Sequence, residues 1–476
     1  VSLNDEKKIK DADVYHVDKN DNVENMDGSV AKNGDVEFET THFSTYVIVQ
    51  KGNNTIHVTV KYCDKDGNEI YAADSNKELS VGDRLKLKEL DNWNVTRVVV
   101  NPTNSGNSSK EYTSEDTDVE TSIELAESAT VTAYYEATTG TKTGDPIFFD
   151  YTIKVKTPNG GNDSINNPSN YSKDGNKLTA GGYRDPSNAN GYKSDNYRKY
   201  TYMWADDKGQ YPNSWIGFWD SSNKNKPVTG LLSGVNKTDV NFNYADPGFF
   251  TQTDLSVKDK SGNTVYLRKV YTNYVLNFDR TGDTYKLSNV QVKDADGNKT
   301  QVANAGAGFF PLDSVGYQKN SNVEDINNNE ADSSDSKAHN YFFGLRYDID
   351  FKLGDYIGDL EYKFTGDDDL WVVLDGKTVV IDLGGIHDAA DGKVDLWTYL
   401  LNPDQKKEDL TDEQKDANHT LTVLYMERGA GASNCNMEFT LPHATISQVT
   451  TDPLGTLELQ KVNSNKDQGL NGARFT

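Results

Sequence analysis

Three consecutive aspartates, Asp367, Asp368 and Asp369, stand between Phe364-Thr365-Gly366 and the apolar run Leu370-Trp371-Val372-Val373-Leu374. Like charges a few ångströms apart repel, and more strongly where an adjoining strand draws them out of water. A hard cation is one remedy. Calcium takes six to eight oxygens at about 2.3–2.6 Å, and neighbouring carboxylates on one loop can supply several of them. A solvated acidic loop is the plainer reading of a bare Asp triplet, so the surrounding residues decide. Downstream come Leu383-Gly384-Gly385-Ile386-His387, then Tyr425-Met426-Glu427-Arg428, then Ser433-Asn434. His387 reads as a turn-fixing residue or as a contact to a ligand. Arg428 is a partner for a carboxylate such as Asp382, or a second ligand contact. Trp371 lies inside the apolar run and reads as core ahead of sugar platform. A separate cluster, Tyr197, Tyr200, Tyr202, Trp204, Tyr211, Trp215 and Trp219, suits stacking on sugar rings or a protein partner as well as packing beneath long loops.

Other chemistry-bearing patterns fall away on spacing. Asp64-x-Asp66-Gly67 and Asp294-x-Asp296-Gly297 look like calcium-loop starts, but the twelfth positions are Ser75 and Ala305, so both read as hairpin turns. Gly306-Ala307-Gly308 and Gly429-Ala430-Gly431 lack the third glycine of a dinucleotide loop. Neither a zinc-protease His-Glu-x-x-His nor a Gly-x-Ser-x-Gly nucleophile elbow occurs. The two cysteines, Cys63 and Cys435, are too few for a disulfide framework and read as isolated buried thiols ahead of one long-range bridge.

These residues must be positioned by β structure. The chain has 476 residues, 49 Lys+Arg against 74 Asp+Glu, a formal charge of −25, and 27 Tyr among its 11% aromatics. That length corresponds to three or four domains at roughly 100–200 residues each. The acidic balance opposes nucleic acid and anionic membrane as partners. No stretch approaches the roughly 18–20 consecutive apolar residues of a membrane span, so no membrane insertion is expected. Alternating and continuous apolar runs (Thr55-Ile56-His57-Val58-Thr59-Val60, Phe148-Phe149-Asp150-Tyr151, Tyr274-Val275-Leu276, Leu421-Thr422-Val423-Leu424-Tyr425) read as strands. The expected fold class is all-β: multi-domain β-sandwiches with one large, loop-rich, jelly-roll-like domain. Expected boundaries are a partial sandwich over 1–52, a β module over 53–139, a Thr/Gly linker over 138–144, the large domain over 145–446, and the start of a further module over 455–476. One helix is expected over 411–417, where Thr411 and Gln414 make a capping box. Asn-, Asp- and Ser-rich 322–340 reads as a loop. The start at Val1 and the end at Thr476 both read as cuts within a longer protein.

Five pieces in order, Gly308-Phe309-Phe310-Pro311-Leu312-Asp313, Asn340-Tyr341-Phe342-Phe343, Gly366-Asp367-Asp368-Asp369, Leu383-Gly384-Gly385-Ile386-His387 and Glu427-Arg428 with Ser433-Asn434, resemble the fibro-slime family, a branch of the protective-antigen-type β-sandwich. The 53–139 module resembles mucin-binding-protein repeats. Gly455-Thr456-Leu457-Glu458-Leu459-Gln460-Lys461-Val462 resembles the first strand of collagen-adhesin B-type repeats, in which Lys461 would form an isopeptide bond with an Asn beyond Thr476. These resemblances imply a Gram-positive cell-surface adhesin: extracellular, wall-anchored through a region beyond this sequence, non-enzymatic, a monomeric fragment binding host or mucin glycans. In sugar-binding members two aspartates joined by a cis peptide hold calcium, which coordinates sugar hydroxyls; the pair falls on Asp367-Asp368. Their second-loop Asn corresponds to Glu427 here, with Asn434 further along, a departure from the family pattern. The metal set implied is Asp367, Asp368, Glu427 and Asn434, with Asp369, His387, Arg428 and Trp371 toward the ligand. A glycosidase and a purely structural or protein-binding domain, with calcium only stiffening a loop, are the alternatives.

Overall fold

The computed structural model describes residues 55–104, 106–113, 123–151, 229–243, 248–258, 264–313, 343–385, 387–427 and 433–447, with short stretches elsewhere. The aromatic cluster at 197–219, Arg428 and 455–476 with Lys461 lie outside the described residues, as does most of 322–340. The chain divides into two compact units, 1–136 and 137–476.

In the first unit Ala12–Val17 is flanked by Val23–Met26 and Thr45–Gln50 in a three-stranded sheet. A five-stranded sheet follows, in which Thr55–Asp64 pairs antiparallel with Glu69–Ser80 and parallel with Ala129–Ala137. Val58, Val60, Val131 and Ala133 are fully buried on its covered face. Alternation at period two places them there. The Asp64–Asn68 turn is a closed Asx turn: Asp64 Oδ1 accepts from the amides of Asp66 and Asn68, and Oδ2 from the Asn68 side chain. Asp294 repeats the same bonds with Asp296 and Asn298, which hold its carboxyl below the usual range. Both carboxylates are saturated by their own loops, as hairpin turns require.

The second unit is a β-sandwich. One sheet runs in the order Thr139–Gly144, Tyr274–Thr281, Thr284–Lys293, Asn434–Thr440, Glu361–Gly366, Ala390–Asp395. The other contains, side by side, Leu255–Lys258, Thr264–Tyr271, Ile147–Tyr151, Phe343–Phe351, His419–Glu427, Asp369–Leu374 and Thr378–Leu383. The 138–144 segment is therefore an edge strand and not a linker. Its side chains are mostly exposed, so it looks like linker composition, but its backbone pairs with Tyr274–Thr281 along six residues. Threonine suits that edge, and Gly144 lets the strand pass close to Ile446.

The two sheets meet through aromatics. The Tyr347 hydroxyl lies 3.0 Å from that of Tyr362 and donates to the Met437 sulfur at 3.2 Å. Tyr347 also packs on Phe278, Phe364 on Tyr425, and Phe148 on Tyr274. The turn Asp375-Gly376, with both residues at positive φ, closes the Asp369–Leu374 hairpin as an Asp-Gly type I′ turn does. The capping box forms as expected: Thr411 and Gln414 satisfy each other's amides at the start of helix Asp412–Asp416. Cys63 and Cys435 are free and buried. Gly344, opposite Phe149, lies where an added Cβ would fall inside van der Waals contact of the Tyr151 hydroxyl. Gly344→Ala is expected to lower stability by about 1–3 kcal/mol in chemical denaturation, with the far-UV spectrum unchanged.

Candidate functional site

Three chain crossings between the sheets gather at one edge of the sandwich. Gly366 ends a strand of one sheet and Asp369 begins a strand of the other, so Asp367 and Asp368 are the crossing itself. The chain crosses back between Leu383 and Ala390, through Gly384-Gly385 and His387. It crosses a third time between Glu427 and Asn434. With so few residues at the first crossing, both aspartates are drawn inward. Asp368 is 3% exposed, with φ of 27°.

Hydrogen bonds tie the crossings together. The Asp367 amide donates to the Asn434 carbonyl at 3.1 Å, and the Asn434 amide donates back to Asp367 Oδ1. The His387 amide donates to Asp368 Oδ1 at 3.2 Å, and the Gly385 amide to Asp369 Oδ1. Ser433 joins the fourth side: its carbonyl accepts from the amides of Gly308 and Phe309, and its hydroxyl donates to the Phe309 carbonyl at 2.7 Å. Gly306–Ala307 is thus a short strand against Asn434 and Cys435, which accounts for its glycines without a nucleotide.

Burial and the neighbouring charge of Asp368 push the Asp367 carboxyl up to about 6. Burial, joined by the charges of Asp367 and Glu427, pushes the Cys435 thiol and the Tyr425 hydroxyl well above their ordinary values. Glu427 is itself fully buried, with Oε2 3.4 Å from the Tyr425 hydroxyl. His387 is 3% exposed. Its Nδ1 lies 2.7 Å from the Asp388 carbonyl, which can only accept, so Nδ1 carries the proton. Nε2 is buried with no hydrogen-bond partner. With Nδ1–H held by the Asp388 carbonyl, Nε2 is the ring atom left to meet whatever enters.

The expected site residues divide accordingly. Asp367, Asp368, His387 and the main chain of Asn434 come together. The peptide bonds of the described residues are all trans, so the Asp367–Asp368 link is trans where a cis link was expected. Gly366, where a Cβ would meet the Asn434 carbonyl and the Phe364 ring, and the positive φ of Asp368 make the crossing without it. The Asn434 side chain accepts from Asn436 at 3.0 Å, so its grip on Asp367 is through the main chain. Asp369 is fully buried and supports the Gly384-Gly385 turn. Trp371 is not a sugar platform. It is fully buried, edge-on to Phe242, and donates from Nε1 to Asp382 at 3.1 Å. Asp382 also accepts from the Gly230 amide at 2.7 Å, which satisfies the carboxylate thought to await Arg428. Among the described residues, no three His, Cys, Asp or Glu side chains converge on a metal position. A calcium ion would therefore rest on the Asp367–Asp368 pair, whose carboxylate chemistry and mutual repulsion suit a hard cation, with oxygens from outside that list.

No protein-family model matches the chain. Among characterised proteins it is similar to Dictyostelium discoideum protein psiF, 30% identical over 152 residues, which are 30% of this chain and 20% of psiF. Protein psiI of the same organism is 33% identical over 130 residues, 27% of this chain and 15% of psiI. Protein psiK is 28% identical over 227 residues, 46% of this chain and 29% of psiK. The chain thus spans less than a third of the length of these relatives. Among solved structures, the GH31 alpha-xylosidase of Xanthomonas citri aligns at a TM-score of 0.15 and 11% identity, over 50% of this chain and 24% of that one. At that score it carries no argument.

Because Trp371 is core, Trp371→Ala should cost about 3–5 kcal/mol of stability in a denaturant titration. A loss of glycan binding with stability unchanged would instead place the ring at a ligand.

Proposed function

We propose that the second unit is a non-catalytic carbohydrate-binding module of an extracellular, cell-surface adhesin, taking a divalent cation at Asp367 and Asp368 and host or mucin glycans beside it. The observation that carries this reading is the aspartate pair at a chain crossing, Asp368 buried and Asp367 half-buried, with the unpartnered Nε2 of His387 close by. Two adjacent ionised carboxylates, one buried and one half-buried, call for a positive charge. Calcium supplies that charge and, when bound, open coordination for sugar hydroxyls. Asp367 and Asp368 would hold it. His387 Nε2 would accept from a hydroxyl, and Glu427 would add negative charge behind the pair. The resemblance of the ordered motifs to the fibro-slime family supports the reading, as do the resemblances of 53–139 and 455–476 to surface stalk modules, which suit display away from a cell wall.

A glycan array with and without chelator tests it. Binding should vanish on chelation and in Asp368→Asn. Binding that survives both defeats the cation-bridged reading, and shortened glycans among the recovered ligands would favour a glycosidase.

The acid pair also makes a pH prediction. The Asp367 carboxyl rises to about 6 in the fold from an ordinary 3.8. The folded chain then binds the proton more tightly than the unfolded chain, so no penalty exists below pH 4 and the full penalty is present above pH 6. Without metal, Asp367→Asn should stabilise the protein at pH 7.5 by about 2–3 kcal/mol and leave it unchanged near pH 3.5. Calcium should raise the melting temperature of the parent protein at pH 7.5, but not that of the variant. Urea titrations at the two pH values and calorimetry with and without calcium read both outcomes.

A further inference from the structure

On the outer face of the larger sheet, away from the aspartate crossing, lies a cleft of about 720 Å³. Strand Phe343–Phe351 alternates strictly: Leu345, Tyr347 and Ile349 are fully buried in the sandwich, and Arg346, Asp348 and Asp350 take the opposite face. Across the ladder they oppose Leu424, Thr422 and Thr420. Segment 235–237 and the Asp375-Gly376 turn close the sides, held by the bond from the Val235 amide to the Gly376 carbonyl at 2.9 Å.

Arg346 forms the floor and is 1% exposed. Its Nη2 donates to the Asn236 carbonyl at 2.6 Å, but Nε and Nη1 have no partner. Burial lowers its pKa, against the opposing pull of Asp348 and Asp239. One oxygen of Asp348, Oδ1, is likewise buried with no partner. The other acids of the cleft are committed. Asp375 accepts from His419 at 3.0 Å and from the Thr420 amide at 2.9 Å. Asp350 accepts from the Thr420 hydroxyl at 2.6 Å. A buried guanidinium with idle N–H groups is costly unless an acceptor arrives, and a buried carboxylate oxygen equally needs a donor.

We propose that this cleft is a second ligand site, independent of the aspartate crossing, that takes an acidic saccharide. Its carboxylate meets Arg346, with Lys237 at the rim, and its hydroxyls serve Asp348 and the threonines. A simple carboxylate would satisfy Arg346 and leave Asp348 Oδ1 without a donor, whereas a neutral sugar would serve Asp348 but offer the idle N–H groups of Arg346 only hydroxyl oxygens, weaker acceptors than a carboxylate. A hydroxylated carboxylate answers both, and the volume suits one or two sugar rings.

Titration of the full chain with glucuronate and with glucose, in EDTA, followed by ligand-observed NMR, tests the proposal. Glucuronate should bind roughly tenfold more tightly than glucose, and EDTA should leave that binding intact, which separates this site from the cation site. Arg346→Lys should weaken glucuronate binding roughly tenfold. Lys237→Ala, at an exposed position that cannot disturb the core, should weaken it roughly threefold, and this variant decides the matter if Arg346→Lys does not fold. Equal affinity for the two sugars, no glucuronate binding, or affinity unmoved by Lys237→Ala overturns the proposal.

Discussion

The second unit depends on passing one chain between two stacked sheets three times at the same edge. Each crossing breaks a ladder, and the main-chain groups released there must be paired, because buried amides and carbonyls left open are costly. Here aspartate side chains do much of that work. Asp367 receives the Asn434 amide, Asp368 the His387 amide and Asp369 the Gly385 amide, so three consecutive acids pin two other crossings. Their negative charge is built into the join of the sandwich. Replacing them with apolar residues would leave three amides unpaired.

That arrangement sets its own electrostatic problem. A single carboxylate receiving an amide is stabilised in its charged form, but neighbouring buried carboxylates oppose one another. For Asp367 the opposition wins, since burial and Asp368 raise its carboxyl despite the Asn434 bond. Glu427, at the head of the adjoining strand, extends the negative field to Tyr425 and Cys435. Those two groups are thereby kept protonated and inert, which suits a core hydroxyl and a core thiol but not a nucleophile.

How much of this was legible in the sequence follows from which signals are local. The strands around Trp371 and Leu421 show as apolar runs, the turns at Asp64 and Asp294 as Asp-x-Asp-Gly, and the helix at Asp412 as a capping box; each depends on neighbours a few residues away. The edge strand Thr139–Gly144 does not show, because its pairing comes from Tyr274–Thr281 far along the chain while its composition is that of a linker. Asp367, Asp368 and the segment ending at His387 stood out as motifs, but the trans link and the main-chain role of Asn434 did not, since both arise where distant strands meet. The burial of Trp371 was readable; its partners Phe242 and Asp382 were not. For the Arg346 cleft a signal was present: Leu345-Arg346-Tyr347-Asp348-Ile349-Asp350 alternates apolar and charged, and a charged face on a central strand requires a reason.

That alternation also explains why one strand can serve two polar regions without conflict. Phe343 pairs with Glu427 at the crossing, and Asp350 pairs with Thr420 beside the cleft, seven residues further along the same ladder. At about 3.3 Å per residue the two ends stand roughly 23 Å apart. They also differ in face, because Arg346 and Asp348 point away from the layer that Tyr347 and Tyr425 fill. Between them the buried face of this pair of strands is filled by Leu345, Tyr347, Ile349, Leu421, Val423 and Tyr425. At that separation, and without shared partners, substitutions at the two ends should act additively on stability. Coupling between them would have to pass through a shift of the whole Phe343–Phe351 strand, which Gly344 wedged against Tyr151 and the Tyr347–Tyr362 contact both resist. The sandwich core is therefore what keeps the acidic edge and the basic-floored cleft chemically separate.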